Sequence, residues 1–187
     1  MNDVLKTIQD RFSCRGYTDE PVSKDMVSAI AKSGLHAPSS TNLQHWELVV
    51  INNQSFVKEL SDAALDVLKN DSDPSAYERI KSRGGITYYN APCMILVLKP
   101  PYAHPNADLD CGILVQNLAL SATSLGLGCV IAAMSGMPFS DQCPKSNEFK
   151  KRVGWKEGYT FGIGILLGHG KHVKEPHEID LSKISYV

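Results

Sequence analysis

The sequence has almost no excess of charge of either sign: 19 basic residues against 20 acidic ones leave a formal net charge of −1 and a pI near 6.6. The two signs are interspersed, so there is no electrostatic footprint for nucleic acid or an anionic membrane. An apolar leader is also lacking, because Asp3, Lys6, Asp10 and Arg11 fall within the first turns. That disfavours export by a secretory signal. Cysteine is sparse and unpatterned. Cys14, Cys93, Cys111, Cys129 and Cys143 make an odd count without a Cys-x-x-Cys, which signals neither a disulfide framework nor a zinc site and suits a reduced, cytoplasmic compartment.

Residues 111–140 carry no charged side chain, yet they do not read as a membrane span. Gln116, Asn117, Ser121, Thr123 and Ser124 interrupt the apolar run, and Gly126 and Gly128 end the helix short of a bilayer. A buried helix followed by a buried strand fits better. No Gly-x-Gly-x-x-Gly stands between a strand and a helix, so a Rossmann dinucleotide site is unsupported. The nearest glycines, Gly162 and Gly164, lie inside an apolar run and read as close backbone packing in a strand. Repeats, low-complexity tracts and linkers are missing as well. With 187 residues, 43% of them hydrophobic, the chain reads as one globular domain over residues 1–187 with a sizeable core.

What is present is a mixture of helical and strand periodicities. Val4, Leu5, Ile8 and Phe12 predict a short amphipathic helix over residues 3–11, and Ser23 caps a second that stops near Lys32 and Gly34. Trp46 to Asn52 reads as a strand. A third helix begins at Ser55, and a fourth begins with Pro74 in its first position and ends at Gly84 and Gly85. Cys93 to Leu98 is a continuous apolar run of strand length, expected to be buried on both faces. Asp108 or Asp110 starts the long uncharged helix, and Cys129 to Ala133 is a strand or extended segment. Phe149 and Val153 imply a short helix, Thr160 to Leu167 is the last strong strand, and a polar tail from Gly170 wraps a surface. Helices outnumber strands and do not alternate with them, so the fold class is α+β.

Two polar stretches carry candidate chemistry. In Arg11-Phe12-Ser13-Cys14-Arg15, two guanidiniums and a hydroxyl fall at alternate positions and face one side if the segment is extended. Such a trio suits a phosphomonoester. The same residues also occur on ordinary solvated surfaces, and Arg15 has Asp19 and Glu20 nearby as salt-bridge partners. The second stretch, Pro38-Ser39-Ser40-Thr41-Asn42, offers hydroxyls and amides just before a strand, which also describes a plain turn.

Taken together, RFSCR, APSSTNLQHWELVV, DCGILVQNLALSATSLGLG and EGYTFGIGILLGHG resemble, in order and over nearly the whole chain, the FMN-dependent nitroreductase family. The resemblance implies a central, mainly antiparallel sheet flanked by helices, in a homodimer with FMN at the subunit interface. It implies that Arg11 and Ser13 hold the FMN phosphate and that Arg15 lies near the ribityl chain or the pyrimidine edge. Pro38, Ser39, Ser40 and Asn42 would reach the cofactor of the second subunit, and the backbone of Ile131, Ala132 and Ala133 would approach the ring. His45 stands where the family usually has proline, and Trp46 reads as core. The tail departs from the pattern, since no arginine follows the last strand; of Lys171, Lys174 and the histidines there, Lys174 is expected to complete the phosphate site. His169, His172 and His177 read as a solvated tail rather than a metal tract.

NADH or NADPH would then supply electrons in a ping-pong cycle through the flavin, with a nitroaromatic, a quinone or another small-molecule electron acceptor as substrate. No Ser/His/Asp or Cys/His constellation is needed, and none is evident. Relatives of this fold also carry out dehalogenation, enone reduction, heterocycle dehydrogenation or flavin breakdown. A non-catalytic flavin-binding redox module is a further alternative, motivated by the altered tail. The segments 100–108 and 71–89 are candidate lids without an assignable motif.

Overall fold

A computed structural model of the protein describes residues 2–187. Its centre is a four-stranded sheet made of β1 (Glu47–Ile51), β2 (Cys93–Lys99), β3 (Gly128–Ile131) and β4 (Thr160–Gly168), in the order β1-β2-β4-β3. Every neighbouring pair is antiparallel. The α+β reading therefore holds, and the sheet is wholly antiparallel.

Strand β2 explains the architecture. Its residues Cys93 to Leu98 are all buried, and their alternation divides the core in two. Met94, Leu96 and Leu98 join one apolar cluster with Tyr17, Tyr88 and Phe149; Cys93, Ile95 and Val97 join another with Leu114, Leu118 and Ile165. Successive strand side chains point to opposite faces, so an unbroken apolar run requires cover on both sides. Helices α2 (Lys24–Gly34) and α5 (Ala107–Ser124) cover one face, and α3 (Gln54–Lys69) with α6 (Ser146–Arg152) covers the other. The remaining helices are α1 (Asp3–Asp10) and α4 (Ser75–Lys81).

Local chemistry sets the boundaries. Asn2, Ser23 and Asn53 each accept a hydrogen bond from the backbone N–H three residues on, at 2.9, 3.3 and 3.1 Å, capping α1, α2 and α3. Helix α3 thus starts one residue before Ser55. Pro74 sits at the N-cap of α4 rather than in its first position, and α5 begins at Ala107, just ahead of the two acids. A 3-10 turn over Ala133–Phe139, absent from the periodicity reading, follows β3.

Gly162 and Gly164 of β4 serve the packing expected of them. Gly162 is the extra residue of a β-bulge, where Val97 pairs with Ile163 and Leu98 with Phe161. A Cβ on Gly164 would lie 2.0 Å from Ser135 Oγ and 3.0 Å from its Cβ. Ser135 is fully buried, so the clash has no exit. Gly164→Ala should cost about 1–3 kcal/mol of stability through overpacking, read as a lower urea midpoint at unchanged slope.

Candidate functional site

The segment after α1 is fastened at both ends. Ser13 pairs in parallel with Cys129 of β3, and Tyr17 pairs antiparallel with Gly170 beyond β4. Cys14 N–H donates to the Cys129 carbonyl at 2.9 Å, Thr18 N–H to the His169 carbonyl at 2.9 Å, and Lys171 N–H to the Gly16 carbonyl at 3.0 Å. Cys14 and Tyr17 turn inward, and the Tyr17 hydroxyl lies 3.1 Å from the Cys14 carbonyl and 3.3 Å from that of Leu166. The inward thiol fits because its neighbours lack side chains: a Cβ on Gly128 would fall 2.7 Å from Cys14 Sγ, and one on Gly170 3.2 Å away.

With Cys14 buried, Ser13 and Arg15 face outward. Arg11, Ser13 and Arg15 line one small cavity of about 180 Å³, and the tail closes it with Lys174, Glu175 and His177. Arg11, Arg15 and Lys174 form no ion pair within the described residues; Glu20 faces His169 instead, at 3.6 Å. Arg15 also lines a second cavity of about 310 Å³, whose wall includes Ile131, Ala132 and Ala133. That wall is held in place. Ala132 N–H donates to the Gly164 carbonyl at 2.8 Å, Ser135 Oγ donates to the Ala132 carbonyl at 2.6 Å, and the Tyr88 hydroxyl donates to the Met134 carbonyl at 2.9 Å. Two larger cavities, of about 570 and 610 Å³, flank α3 and contain none of the candidate cofactor-binding residues.

The polar loop lies apart. Ser40–Asn42 form a 3-10 turn in which Thr41, Asn42 and the nearby Gln44 adopt φ of 50°, 56° and 52°. Left-handed backbone at three non-glycine residues is unfavourable unless its surroundings enforce it. Enforcement comes from Asp110 of α5, a carboxylate only 3% exposed, which accepts from Ser40 N–H at 3.1 and 3.2 Å. Ser39 Oγ accepts from Gln44 N–H at 2.9 Å, and the Asn42 side chain pairs with that of Gln44 at 3.0 Å. Pro38, Ser39, Ser40 and Asn42 line neither of the cavities that contain Arg15. Within one chain, then, the structure gathers Arg11, Ser13, Arg15, Lys174 and Ile131 to Ala133, but not the loop. His45 Nδ1 accepts from His104 N–H at 3.0 Å, and Trp46 packs against the core cluster under α5.

Several lining residues escaped the sequence reading. Arg79, Arg83 and Thr87 line the larger of the two site cavities, and Thr87 Oγ1 is buried without a partner. Their only sequence signal was a pair of arginines four apart in a segment without a motif. Asp110 was read merely as a helix starter; an acid inside an otherwise apolar stretch was its signal.

The cysteines supply no nucleophile. All five are buried and unpaired with one another. Burial raises the Cys14 thiol, pushes Cys93 up to about 12, and pushes Cys111 and Cys129 up to about 11.

The chain matches the nitroreductase family model over residues 8–168. A crystal structure of a nitroreductase with bound FMN from Desulfitobacterium hafniense DCB-2 is 42% identical, with a TM-score of 0.93 over 100% of this chain and 99% of that one. Another, of a nitroreductase with bound FMN from Bacteroides fragilis NCTC 9343, is 26% identical, with a TM-score of 0.88 over 100% of both chains. An FMN reductase [NAD(P)H] of Bacillus subtilis (strain 168) is 36% identical over 185 residues, covering 90% of this chain and 66% of its own. This chain therefore belongs to the nitroreductase family.

Two outcomes follow for the isolated protein. Asp110→Ala strands the Ser40 N–H and releases a left-handed turn, so unfolding free energy should fall by about 2 kcal/mol, measured by chemical denaturation. The raised thiols hold their protons in the folded state, so their contribution is complete below pH 9 and is lost as pH rises through about 11 to 12. Denaturation midpoints should accordingly be lower at pH 10.5 than at pH 8.

Proposed function

We propose that the chain is an FMN-dependent oxidoreductase that takes electrons from NADH or NADPH and passes them to nitroaromatics, quinones or related small electrophiles in a ping-pong cycle. The observation that carries this reading is that two neighbouring cavities share Arg15 in their walls. One is small and cationic; the other is larger and floored by the fixed Ile131 to Ala133 segment. Their residues fit a phosphate joined to a flat ring. Arg11, Ser13 and Lys174 hold the phosphate: the guanidinium supplies a planar fork of donors, the hydroxyl a third, and the ammonium a compact charge. The altered tail thereby retains a cation at the phosphate, which supports an enzyme over a non-catalytic module.

When bound, FMN supplies hydride uptake and release at its N5. The protein's part is orientation and charge. Arg15, shared by both cavities, places positive charge beside the pyrimidine edge, where two-electron reduction accumulates negative charge. Ala132 and Ala133 have side chains small enough to let the backbone approach the ring. The raised thiols neither give nor accept protons near neutral pH, and solvent supplies the protons the acceptor needs.

The active species is a homodimer in which Pro38, Ser39, Ser40 and Asn42 reach the partner's cofactor. Two features support it. This loop is rigidly held yet lies away from the Arg15 cavities of its own chain. Helix α1 leaves Val4, Leu5 and Ile8 exposed at 65%, 54% and 48%, beside the uncharged stretch of α5. The reduced thiols suit a cytoplasmic setting.

An anaerobic absorbance titration tests the chemistry: the purified protein should show a flavin spectrum that bleaches with NADH or NADPH and recovers with a quinone or nitroaromatic. A protein that cannot take up FMN would sink the reading. Arg11→Ala should weaken FMN binding roughly tenfold to a hundredfold, measured by fluorescence titration. Ile8→Asp should shift the sedimenting species to a monomer with lowered FMN affinity; a monomeric native protein that holds FMN as tightly would remove the dimer from the proposal.

A further inference from the structure

The smaller of the two site cavities contains an imidazole as well as its fixed charges. Lys174, Glu175, Pro176 and His177 line it in unbroken succession, so the backbone of the tail runs along its wall. Pro176 stiffens that stretch, because its ring fixes its own φ and holds the residue before it extended. The tail carries two other histidines, and the fold sends both elsewhere. His169 faces Glu20 at 3.6 Å, and His172 lies against Gly16, with its Cδ2 3.8 Å from where a Cβ on that glycine would stand. Neither lines the cavity. His177 does, and it forms no ion pair within the described residues.

The charged groups around His177 come from three elements. Arg11 stands at the end of α1, Arg15 in the segment fastened to β3, and Lys174 and Glu175 on the tail itself. Asp10 is engaged by Lys6, Glu178 does not line the cavity, and burial keeps the Cys14 thiol protonated. Guanidiniums and ammoniums stay protonated through neutral pH, and carboxylates stay ionised. An imidazole is the side chain in this set that ordinarily changes charge between about pH 5 and 8. When neutral it offers one N–H donor; when protonated it offers two, together with a full charge. A phosphate monoester presents three strong acceptor oxygens, enough for Arg11 and Ser13 on one wall and the tail on the other.

Resting on the flavin reading above, we infer that His177 is a further ligand of the cofactor phosphate and that its protonation makes FMN retention depend on pH. The sign follows from linkage. An imidazole that gains an anionic partner on binding has a raised pKa in the complex, so the added affinity is complete below its ordinary value of about 6.5 and is lost as pH rises through the raised one. A rise of one unit corresponds to about a tenfold gain in affinity. The phosphate titrates as well, with a second pKa of about 6, but that effect is common to every variant of the tail. A ratio of dissociation constants between variant and native chain cancels it.

The test dilutes the flavin-loaded full chain and reads the released flavin by its fluorescence, which gives a dissociation constant without any turnover. FMN is compared with riboflavin, which has the same ring and no phosphate. For FMN, His177→Gln should match the native chain within about twofold near pH 8.5 and bind about tenfold more weakly near pH 6. With riboflavin the two chains should stay matched at both pH values. His177→Arg carries a permanent charge, so it should hold FMN more tightly than the native chain near pH 8.5 and equally near pH 6. His172→Gln, outside the cavity, should keep the native pH dependence. A ratio of His177→Gln to native that is the same at both pH values overturns the inference. So does an equal change with riboflavin, which would move the effect off the phosphate, or loss of the pH dependence in His172→Gln, which would assign it to that histidine. Those three outcomes leave the flavin reading intact; a native chain that binds no FMN overturns both.

Discussion

The structure depends on the way residues 13–17 are sewn between the edge of the sheet and the chain that leaves β4. Three backbone hydrogen bonds, Cys14 to Cys129, Thr18 to His169 and Lys171 to Gly16, fix a segment with no regular structure of its own. Backbone donors and acceptors next to a core must find partners, so a segment paired on both sides has one available path. Along that path Cys14 fills a slot made by Gly128 and Gly170, and the residues on either side of it face outward. A cationic cavity results because the interior takes the thiol and leaves the guanidiniums to solvent. The same pairing carries the tail past Arg11 and sets Lys174 opposite it.

The sheet supplies the rigidity that this arrangement needs. Strand β2 is buried on both faces, and each face has its own helical cover, so β4 and β3 have little freedom to move. The floor of the larger site cavity is the continuation of β3, tied to β4 through Ala132 and to the 3-10 turn through Ser135. Gly164 lets that turn lie against the sheet. Packing around one small residue thus sets where the backbone of that floor lies.

Much of this was legible in advance, for identifiable reasons. The two-faced burial of Cys93 to Leu98 follows from an unbroken apolar run, and the helix cap at Ser23 from a side chain that can accept from the next turn. Arg11, Ser13 and Arg15 stood out because alternate polar residues signal a common side. Asp110 was legible only as a helix starter, since its partner Ser40 is seventy residues away in sequence. Arg79 and Arg83 fell within a segment read only as a candidate lid, because a cavity is made by what lies opposite. The 3-10 turn at Ala133–Phe139 gave no periodic signal, being too short and too irregular to repeat.

The sequence by itself determined the main helices and strands, the covered sheet and the family, because each rests on local periodicity or on short motifs in order. Tertiary structure alone decided that Arg15 belongs to two cavities, that Thr87 Oγ1 has no partner among the described residues, and that Ser39 to Asn42 line neither of those cavities. These are relations between segments distant in sequence. They are set by which backbone pairs close and which side chains the core excludes, and no local pattern encodes that choice.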